Sequence, residues 1–360
     1  MSSFKKLGFF FAFILPIVTV LGYYLGGGFN YSAVILAYGV MPLVDLIVGR
    51  DPHNVDESQI AALSEEKYYR FVTYVWTYVQ VAIVIWGAYV FATGTMTIFE
   101  RVGFLLSISN VTGGIGITVA HELGHRNTKI EQFYAKVLLM TVSYMHFFIE
   151  HNRGHHVWVA TPKDPATSRK GESLYAFYVR SVVGSFLSAW EIEKNRLQKK
   201  NINVWSFQNE MLQYQLITIS FCVALTAACS LVAGQVLWLV PVFFVVQGIM
   251  AFSLLEAVNY IEHYGIVRKE IAEGRYERVQ PTHSWNTNQL VSNFFLFQLQ
   301  RHSDHHANAN RRYQVLRHFE ESPQLPYGYA TMISIALLPP LWFKLMDNRL
   351  ETWKQQAGVA

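Results

Sequence analysis

Nine of the 13 histidines in the chain lie in three short clusters and at one separate position. They are His121 and His125; His151, His155 and His156; His302, His305 and His306; and His263 alone. Residues four apart lie on one face of a helix, so His121/His125 and His151/His155 can each direct two imidazoles at one metal ion. His156 would point about 100° away from that pair. Imidazole binds zinc, copper, iron and nickel, and nine ligands are too many for one ion. The pattern therefore predicts two metal ions, held by four and five histidines.

Other classes of metal protein share part of this pattern. The stretch His121–His125 reads His-Glu-x-x-His, the motif of zinc proteases, but an intramembrane zinc metalloprotease would leave most of the clustered histidines without a purpose. A metal transporter would distribute its ligands along a membrane pathway. A ferritin-like di-iron site needs paired Glu-x-x-His motifs, and only Glu122–His125 has that spacing. The histidine-only set favours the integral-membrane di-iron oxygenases and desaturases.

The composition indicates that these histidines are positioned by membrane helices. Hydrophobic residues make up 52% of the chain and charged residues 15%, whereas soluble domains carry roughly 25% charge. A spanning helix needs about 20 apolar residues, and six segments qualify: 7–25, 31–48, 70–92, 102–120, 212–233 and 236–257. We predict an all-α integral membrane protein with one domain, 1–360. Its catalytic regions, 121–210 and 259–360, form a helical cap that holds the histidines.

The distribution of basic residues predicts the orientation. If the N-terminus is cytoplasmic, the three short links between paired spans face outward. Of the 29 Lys and Arg residues, only Arg101 then lies on the outer side. Positive charge accumulates on the cytoplasmic side of membrane proteins, so the cap and its histidines are expected to be cytoplasmic.

Two further apolar runs, 133–149 and 327–346, do not fit as spans. His125 and His151 flank the first run, so it must begin and end on the same side if both bind one site. We expect a shallow or core-packed helix there. Pro339 and Pro340 would break a helix in the second run, which favours an interfacial position.

The motifs around the histidines resemble those of the membrane-bound alkane 1-monooxygenases, in the histidine-rich di-iron hydroxylase and desaturase superfamily. The resemblance rests on HELGH, on EHNRGHHVWVATPKDPATS, on NYIEHYG and on LQRHSDHHAN, and it extends from the first predicted span to about Lys344. The long second motif and NYIEHYG separate the chain from fatty-acyl desaturases. A related aromatic-methyl (xylene-type) monooxygenase and a desaturase remain alternatives. Trp158 and Ala309-Asn310 depart from the family pattern, which affects only local loop geometry.

The resemblance implies hydroxylation of the terminal carbon of medium-chain n-alkanes to primary alcohols. It implies two iron ions held by the nine histidines, O2 as co-substrate, and electrons from a rubredoxin that an NAD(P)H-dependent reductase reduces. The two cysteines, Cys222 and Cys229, form no CxxC motif, which agrees with a separate electron carrier. The expected location is a bacterial inner membrane with the active site at the cytoplasmic face. Nucleic acid is not expected as a partner.

Carboxylates near the clusters are candidates for orienting the imidazoles, because metal-bound histidines usually donate their other N–H to a carboxylate or carbonyl. The candidates are Glu122, Glu150, Asp164, Glu262 and Asp304. Glu256 lies inside the last span, where a charge is expensive, and is a functional candidate for that reason. We do not expect the remaining four histidines to be ligands: His53, His146, His283 and His318.

Two further sets of residues are predicted from what the activity requires. An alkane dissolves in the bilayer, so its route should run between spans, with Ala37, Gly39, Met41, Gly113, Ile117 and Leu255 as candidate liners. Rubredoxins are usually acidic, so basic residues beside the third cluster are candidates for docking. They are Arg301, Arg311, Arg312 and Arg317.

Overall fold

The computed structural model describes residues 3–357, and within that range six helices are long and apolar enough to cross a membrane. In chain order these spans are Lys6–Leu25, Gly27–Val48, Lys67–Thr93, Ile98–Gly124, Glu210–Ala233 and Leu239–His263. Side-chain caps mark the start of two of these spans. Thr97 and Glu100 form a reciprocal capping box at the fourth span, and the Asn209 side chain accepts hydrogen bonds from two backbone N–H groups at the fifth. The prediction of a helical protein with six membrane-spanning helices is confirmed, with one short β-hairpin in addition.

The rest of the described chain forms shorter elements around these spans. The helices are Glu57–Glu65, Lys129–Thr141, Phe147–Glu150, Leu174–Gln198, Leu290–Phe295, His302–Ala307, Tyr329–Ala336 and Pro339–Ala357. An antiparallel hairpin pairs Glu270–Ala272 with Arg275–Tyr276. Its turn contains Gly274 with φ +67°, a left-handed conformation that glycine adopts without steric cost.

The two apolar runs of uncertain role are both interrupted. In the first, helix Lys129–Thr141 ends, Ser143 takes a positive φ of 57°, and a new helix starts at Phe147. Leu138, Leu139 and Tyr144 of this run are buried, so the run packs in the protein core. In the second, helix Tyr329–Ala336 stops before Pro339, which begins the next helix. Proline suits a first helical turn because its missing N–H would have no partner there.

The fourth span occupies the centre of the bundle. In its most apolar stretch 78% of the residues are buried, against 11% for the fifth span, which is mostly exposed at the periphery. The fourth span ends at Gly124, so it carries His121 into the cap and leaves His125 directly after its last turn. The most enclosed helix thus delivers the first histidine cluster.

Three segments depart from α-helical hydrogen bonding and form π-helix. They are Ile35–Val40 in the second span, Asn110–Ile117 in the fourth, and His151–His155 in the second histidine cluster. In a π-helix the backbone bonds join residues five apart, and such segments occur frequently at functional sites. Their positions determine which side chains face inward, as described below for His151 and His155.

An aromatic core fixes the end of the sixth span. Tyr260, Tyr264, Trp342 and Trp285 are fully buried together there. The backbone N–H of Trp285 donates to the carbonyl of Glu262 (2.8 Å), and its indole N–H donates to the carbonyl of Tyr264 (2.9 Å). Trp285 therefore holds the residues on both sides of His263 and so fixes the direction of that imidazole.

Candidate metal centre

The structure brings all nine clustered histidines together at one end of the bundle, in two groups. His121, His125, His151, His156 and His305 form the first group. Within it, the Nε2 atoms of His125 and His151 lie 3.0 Å apart, those of His151 and His156 3.0 Å, and those of His156 and His305 3.1 Å. The His121 ring lies 4.4 Å from that of His151. Its Nε2 is buried and has no hydrogen-bond partner among residues 3–357.

The second group consists of His155, His263, His302 and His306. The Nε2 atoms of His302 and His306 lie 2.9 Å apart, those of His155 and His306 3.2 Å, and those of His263 and His302 3.3 Å. The two groups are adjacent, because His155 and His156 are neighbours in the chain and the rings of His156 and His306 lie 4.5 Å apart.

This geometry fits two metal ions. Metal–imidazole bonds are about 2.1 Å long, so two nitrogens at right angles on one ion lie about 3.0 Å apart. The observed Nε2 separations cluster around that value. Burial lowers the pKa of His125, His151 and His156 well below the ordinary value, and the surrounding imidazoles lower it further. The same holds for His302, His305 and His306. These imidazoles are therefore neutral near pH 7, which is the form that binds metal.

The π-helix changes one expected pairing. We expected His151 and His155, four apart, to share an ion, but they belong to different groups, and His151 instead joins His156. Because the backbone of His151–His155 follows π-helical hydrogen bonding, residues five apart, rather than four, lie above one another. The pairs His121/His125 and His302/His306, which are four apart, do stay together.

Two of the five candidate carboxylates contact histidines. Asp164 Oδ2 lies 2.9 Å from His155 Nδ1 and also accepts from the Thr167 hydroxyl (2.6 Å). Burial raises the pKa of Asp164, but His155 and Thr167 outweigh this effect and hold the pKa below its ordinary value. The ionised Asp164 thus accepts the Nδ1 proton of His155 and leaves Nε2 free to bind metal.

Glu262 has a different position from the one expected. Its Oε2 lies 3.2 Å from His302 Nε2, the nitrogen that faces the other histidines of the group, rather than from Nδ1 on the far side of the ring. Its Oε1 accepts from the Tyr329 hydroxyl at 2.6 Å. Tyr329 carries no sequence signal of a functional role, because only the fold of the C-terminal helices brings it to Glu262.

The expected orienting role is wrong for the other three carboxylates, since none has a hydrogen bond to a histidine among the described residues. Glu122 pairs with Arg126 at 2.8 Å. Asp304 accepts from both Arg311 and the Arg317 backbone, and so fixes the loop after the third cluster. Glu150 is buried, and within residues 3–357 its side chain has a hydrogen bond only with Ser188, at 3.3 Å. Burial raises its pKa well above the ordinary value, and Asp164 and Glu256 raise it further.

The other polar candidates lie outside the two groups. Glu256 is buried and accepts hydrogen bonds from Tyr144 (2.8 Å) and Ser181, a pairing the sequence did not indicate. The four histidines not expected as ligands stand apart from both groups. Of these, His53 contacts Asp51, His283 contacts Glu277 and His318 contacts Asn288, while His146 is buried.

An apolar cavity, here called the chamber, leads from the membrane-spanning region to the histidines. His121 and His151 of the first group and His302 of the second line its inner end. Five of the six candidate liners border it: Ala37, Met41, Gly113, Ile117 and Leu255. Gly39 does not border the chamber, because it is exposed on the outer side of the second span. Its selection was wrong because the π-helix around it alters which residues face inward.

The four candidate docking arginines do not form a free basic patch. Arg301 is 4% exposed and donates to the backbone carbonyls of Leu316 and Asp51, so its selection as a docking residue was wrong. The other three are paired with carboxylates: Arg311 with Asp304, Arg312 with Glu131 and Arg317 with Glu57. These three are partly exposed, and their role in docking stays a prediction.

Comparisons with known proteins agree with this architecture. The family model described as fatty acid desaturase matches residues 100–336. The chain is 42% identical to alkane 1-monooxygenase 2 of Pseudomonas aeruginosa over 98% of its length and 94% of that protein. It is 41% identical to alkane 1-monooxygenase of Pseudomonas putida, over 97% of the chain and 86% of the relative. Identity is 28% to the xylene/toluene monooxygenase hydroxylase component XylM of Pseudomonas putida, over 96% of the chain and 89% of the relative.

The chain therefore belongs to the fatty acid desaturase family and, within it, to the alkane 1-monooxygenases, and it is an oxidoreductase. With its six apolar helices it is an integral membrane enzyme with a histidine-rich metal-binding site. The family resemblance stated from the sequence motifs is confirmed.

Proposed function

We propose that this enzyme hydroxylates the terminal carbon of medium-chain n-alkanes. One alkane, one O2, two electrons and two protons yield one primary alcohol and one water. The observation that carries the proposal is the chamber, whose apolar wall ends at His121, His151 and His302, and so meets both histidine groups. The terminal carbon of a chain bound there lies next to the metal centre, while the rest of the chain is away from water.

The nine histidines would hold two iron ions, which supply the activation of O2 and the uptake of electrons when bound. The neutral, buried state of the imidazoles and the 2.9–3.3 Å spacing of their Nε2 atoms support this assignment. Asp164 would keep His155 in the tautomer that presents Nε2. Two adjacent sites of four and five nitrogens suit iron better than a single zinc site, which needs three or four ligands in all.

The chamber would select linear alkanes through burial and length. Each methylene transferred from water into an apolar environment contributes about 0.8 kcal/mol. Asn110 borders the membrane-side end of the chamber and His121 the inner end. Eleven residues of helix separate them, which is at most about 16 Å. An extended alkane advances about 1.25 Å per carbon, as estimated from C–C bonds of about 1.5 Å. This stretch of helix is thus as long as an extended alkane of about 12 carbons.

Electrons would come from a separate rubredoxin, itself reduced by an NAD(P)H-dependent reductase. The two cysteines of the chain lie apart on the fifth span, buried and partly buried, and form no CxxC motif. The positive-inside pattern supports a cytoplasmic metal centre in a bacterial inner membrane. A soluble donor could reach the centre from that side while the alkane arrives from the bilayer.

Reconstitution tests the proposal. The purified protein, loaded with iron in phospholipid vesicles, is supplied with rubredoxin, reductase and NADH, and offered the n-alkanes from hexane to hexadecane. We expect 1-alkanols as products, with a maximum among medium chains, and about two irons per chain. Alcohols only from xylenes would favour the aromatic-methyl monooxygenase. Double bonds in acyl chains would favour the desaturase, and one zinc per chain with no alcohol would favour the protease.

A further inference from the structure

A second apolar cavity, here called the vestibule, adjoins the chamber on its membrane side. Its walls come from the second, fourth and sixth spans, from the first turns of helix Leu174–Gln198 and from helix Tyr329–Ala336. Tyr38, Asn110, Leu254 and Ile333 border both cavities, so the two lie side by side with these four residues between them. The vestibule has a volume of about 710 Å³ and the chamber about 110 Å³. A larger outer space thus adjoins a smaller inner one.

The vestibule presents mainly carbon. Three serines border it, but each hydroxyl donates to a carbonyl one turn earlier in its own helix: Ser109 to Leu105 (2.7 Å), Ser253 to Ile249 (2.7 Å) and Ser334 to Ala330 (2.9 Å). The Tyr175 hydroxyl likewise donates to the Leu337 carbonyl at 2.8 Å. With these hydroxyls satisfied by backbone, the interior matches a saturated hydrocarbon.

Helix Leu174–Gln198 places the mouth of the vestibule against the bilayer. This helix is not among the six spans, yet it exposes apolar side chains four residues apart: Tyr175 (57%), Val179 (63%), Val183 (54%) and Leu187 (59%). Such a stripe is typical of a helix that lies in the membrane interface with its apolar face in the lipid. Tyr175 and Val179 border the vestibule whereas Val183 and Leu187 do not, so the stripe leads along the lipid to the opening.

We propose that the vestibule binds the linear alkane as it leaves the bilayer and passes it, end first, into the chamber. This inference rests on the proposed function and adds the site of substrate entry. The ligand chemistry is an unbranched saturated chain, which both an alkane and a phospholipid acyl chain provide. The position of the vestibule directly beside the chamber, with four residues shared, favours the alkane, since a phospholipid headgroup cannot follow its chain inward.

A matched pair of cysteine variants tests the entry route. Val179→Cys and Val183→Cys replace the same residue type on the same exposed stripe, one turn apart, but only Val179 borders the vestibule. Both are made with Cys222→Ala and Cys229→Ala, and both are labelled with a bulky methanethiosulfonate reagent in vesicles. We expect labelled Val179→Cys to lose most of its kcat/KM for alkanes and to recover it when a reductant removes the label. Labelled Val183→Cys should match the unlabelled protein, and the iron content of both should stay unchanged.

Photolabelling supplies a readout that does not depend on turnover. An n-alkane with a terminal diazirine should attach to peptides of the vestibule, and excess dodecane should suppress the attachment. A phospholipid with a diazirine in its acyl chain is the comparison. Attachment of the phospholipid alone, not displaced by dodecane, would mean a lipid-filled groove and would overturn the inference. So would an active wild-type enzyme in which labelled Val179→Cys behaves like labelled Val183→Cys. A wild-type protein that makes no alcohol refutes the proposed function instead, while the photolabel still reports on binding.

Discussion

Gly114 offers a direct test of whether the chamber holds the substrate chain. It lies in the π-helical part of the fourth span and borders the chamber, and a Cβ built on it meets no atom within 4 Å. The Cβ of a leucine there would therefore meet no neighbour, and the rest of the side chain would occupy space in the chamber. Seven residues separate Gly114 from His121, which is about 10 Å of helix. This corresponds to about eight carbons of an extended alkane.

The expected effect of Gly114→Leu can be estimated from burial. Octane should still fit, and its kcat/KM should change little. Each carbon beyond about eight can no longer be buried in the chamber, and each unburied methylene loses about 0.8 kcal/mol of transition-state binding. Three excluded carbons cost about 2.4 kcal/mol, so kcat/KM for undecane should fall about 60-fold. The assay is competition among mixed n-alkanes in the reconstituted system, with the alcohols quantified by gas chromatography.

Two other glycines provide controls for Gly114→Leu. Gly39→Leu makes the same replacement on an exposed site outside the chamber, where the nearest atom to a Cβ, Ile35 Cγ2, is 3.9 Å away. Its chain-length profile should match the wild type. Gly113→Ala would place a Cβ 2.4 Å from the Ala251 carbonyl oxygen. It should therefore destabilise the protein and lower activity toward every alkane by the same factor. A folded Gly114→Leu enzyme with an unaltered profile would show that alkanes do not bind along this wall.

Three further predictions concern the metal centre. Asp164→Asn removes the carboxylate that accepts from His155 Nδ1, and we expect metal affinity to fall about 10–100-fold; a chelator titration followed by iron analysis measures it, and unchanged affinity would exclude the orienting role. His155→Ala and His151→Ala remove ligands from different groups, so Mössbauer spectra should lose different iron signals in the two variants; loss of the same signal would contradict the separation seen in the structure. The folded-state pKa of six clustered histidines lies below the unfolded value of about 6.5. As pH falls below about 6.5, the unfolded chain binds protons that the folded protein excludes. The stability that these histidines contribute is therefore present above about pH 6.5 and is lost as pH falls. The melting temperature of the metal-free protein should therefore drop between about pH 7.5 and about pH 5.5, because the free energy of unfolding falls by up to about 1.4 kcal/mol per pH unit for each histidine; an unchanged melting temperature over this range would contradict the reasoning.

Much of the fold could be predicted because its causes are local in the sequence. Each span is a continuous run of apolar residues, and the break at Pro339 follows from the chemistry of one residue type. The histidines were recognisable for a similar reason, since several imidazoles at short spacing have few uses other than metal binding.

What could not be predicted depends on backbone geometry and on distant partners. A spacing of four indicates one helix face only if the helix is α, and nothing in Glu150–His156 shows that the backbone adopts π hydrogen bonding. The pairing of His151 with His156 was missed for that reason. The ion pairs of the arginines could not be predicted for a different reason: Arg312 pairs with Glu131, which is 181 residues away. A charge that looks free in sequence is neutralised by a partner that only the tertiary fold supplies.

The three glycines within Asn110–Ile117 show how the fourth span serves both the packing and the chamber. A Cβ on Gly113 would approach the backbone of Ala251 to 2.4 Å, and one on Gly116 would approach Gln80 Oε1 to 1.9 Å. Gln80 cannot easily move, because it accepts from the Trp76 indole and donates to Thr141. Two glycines therefore let the fourth span lie directly against the sixth and third spans, whereas a Cβ on Gly114 would meet no atom within 4 Å and Gly114 borders the chamber. The helix packs closely against neighbours on two faces and borders free space on a third. The π-helical segment Asn110–Ile117 contains the glycines of all three faces. The same helix then continues to His121, so the segment that fixes the chamber wall also sets where the first metal ligand points.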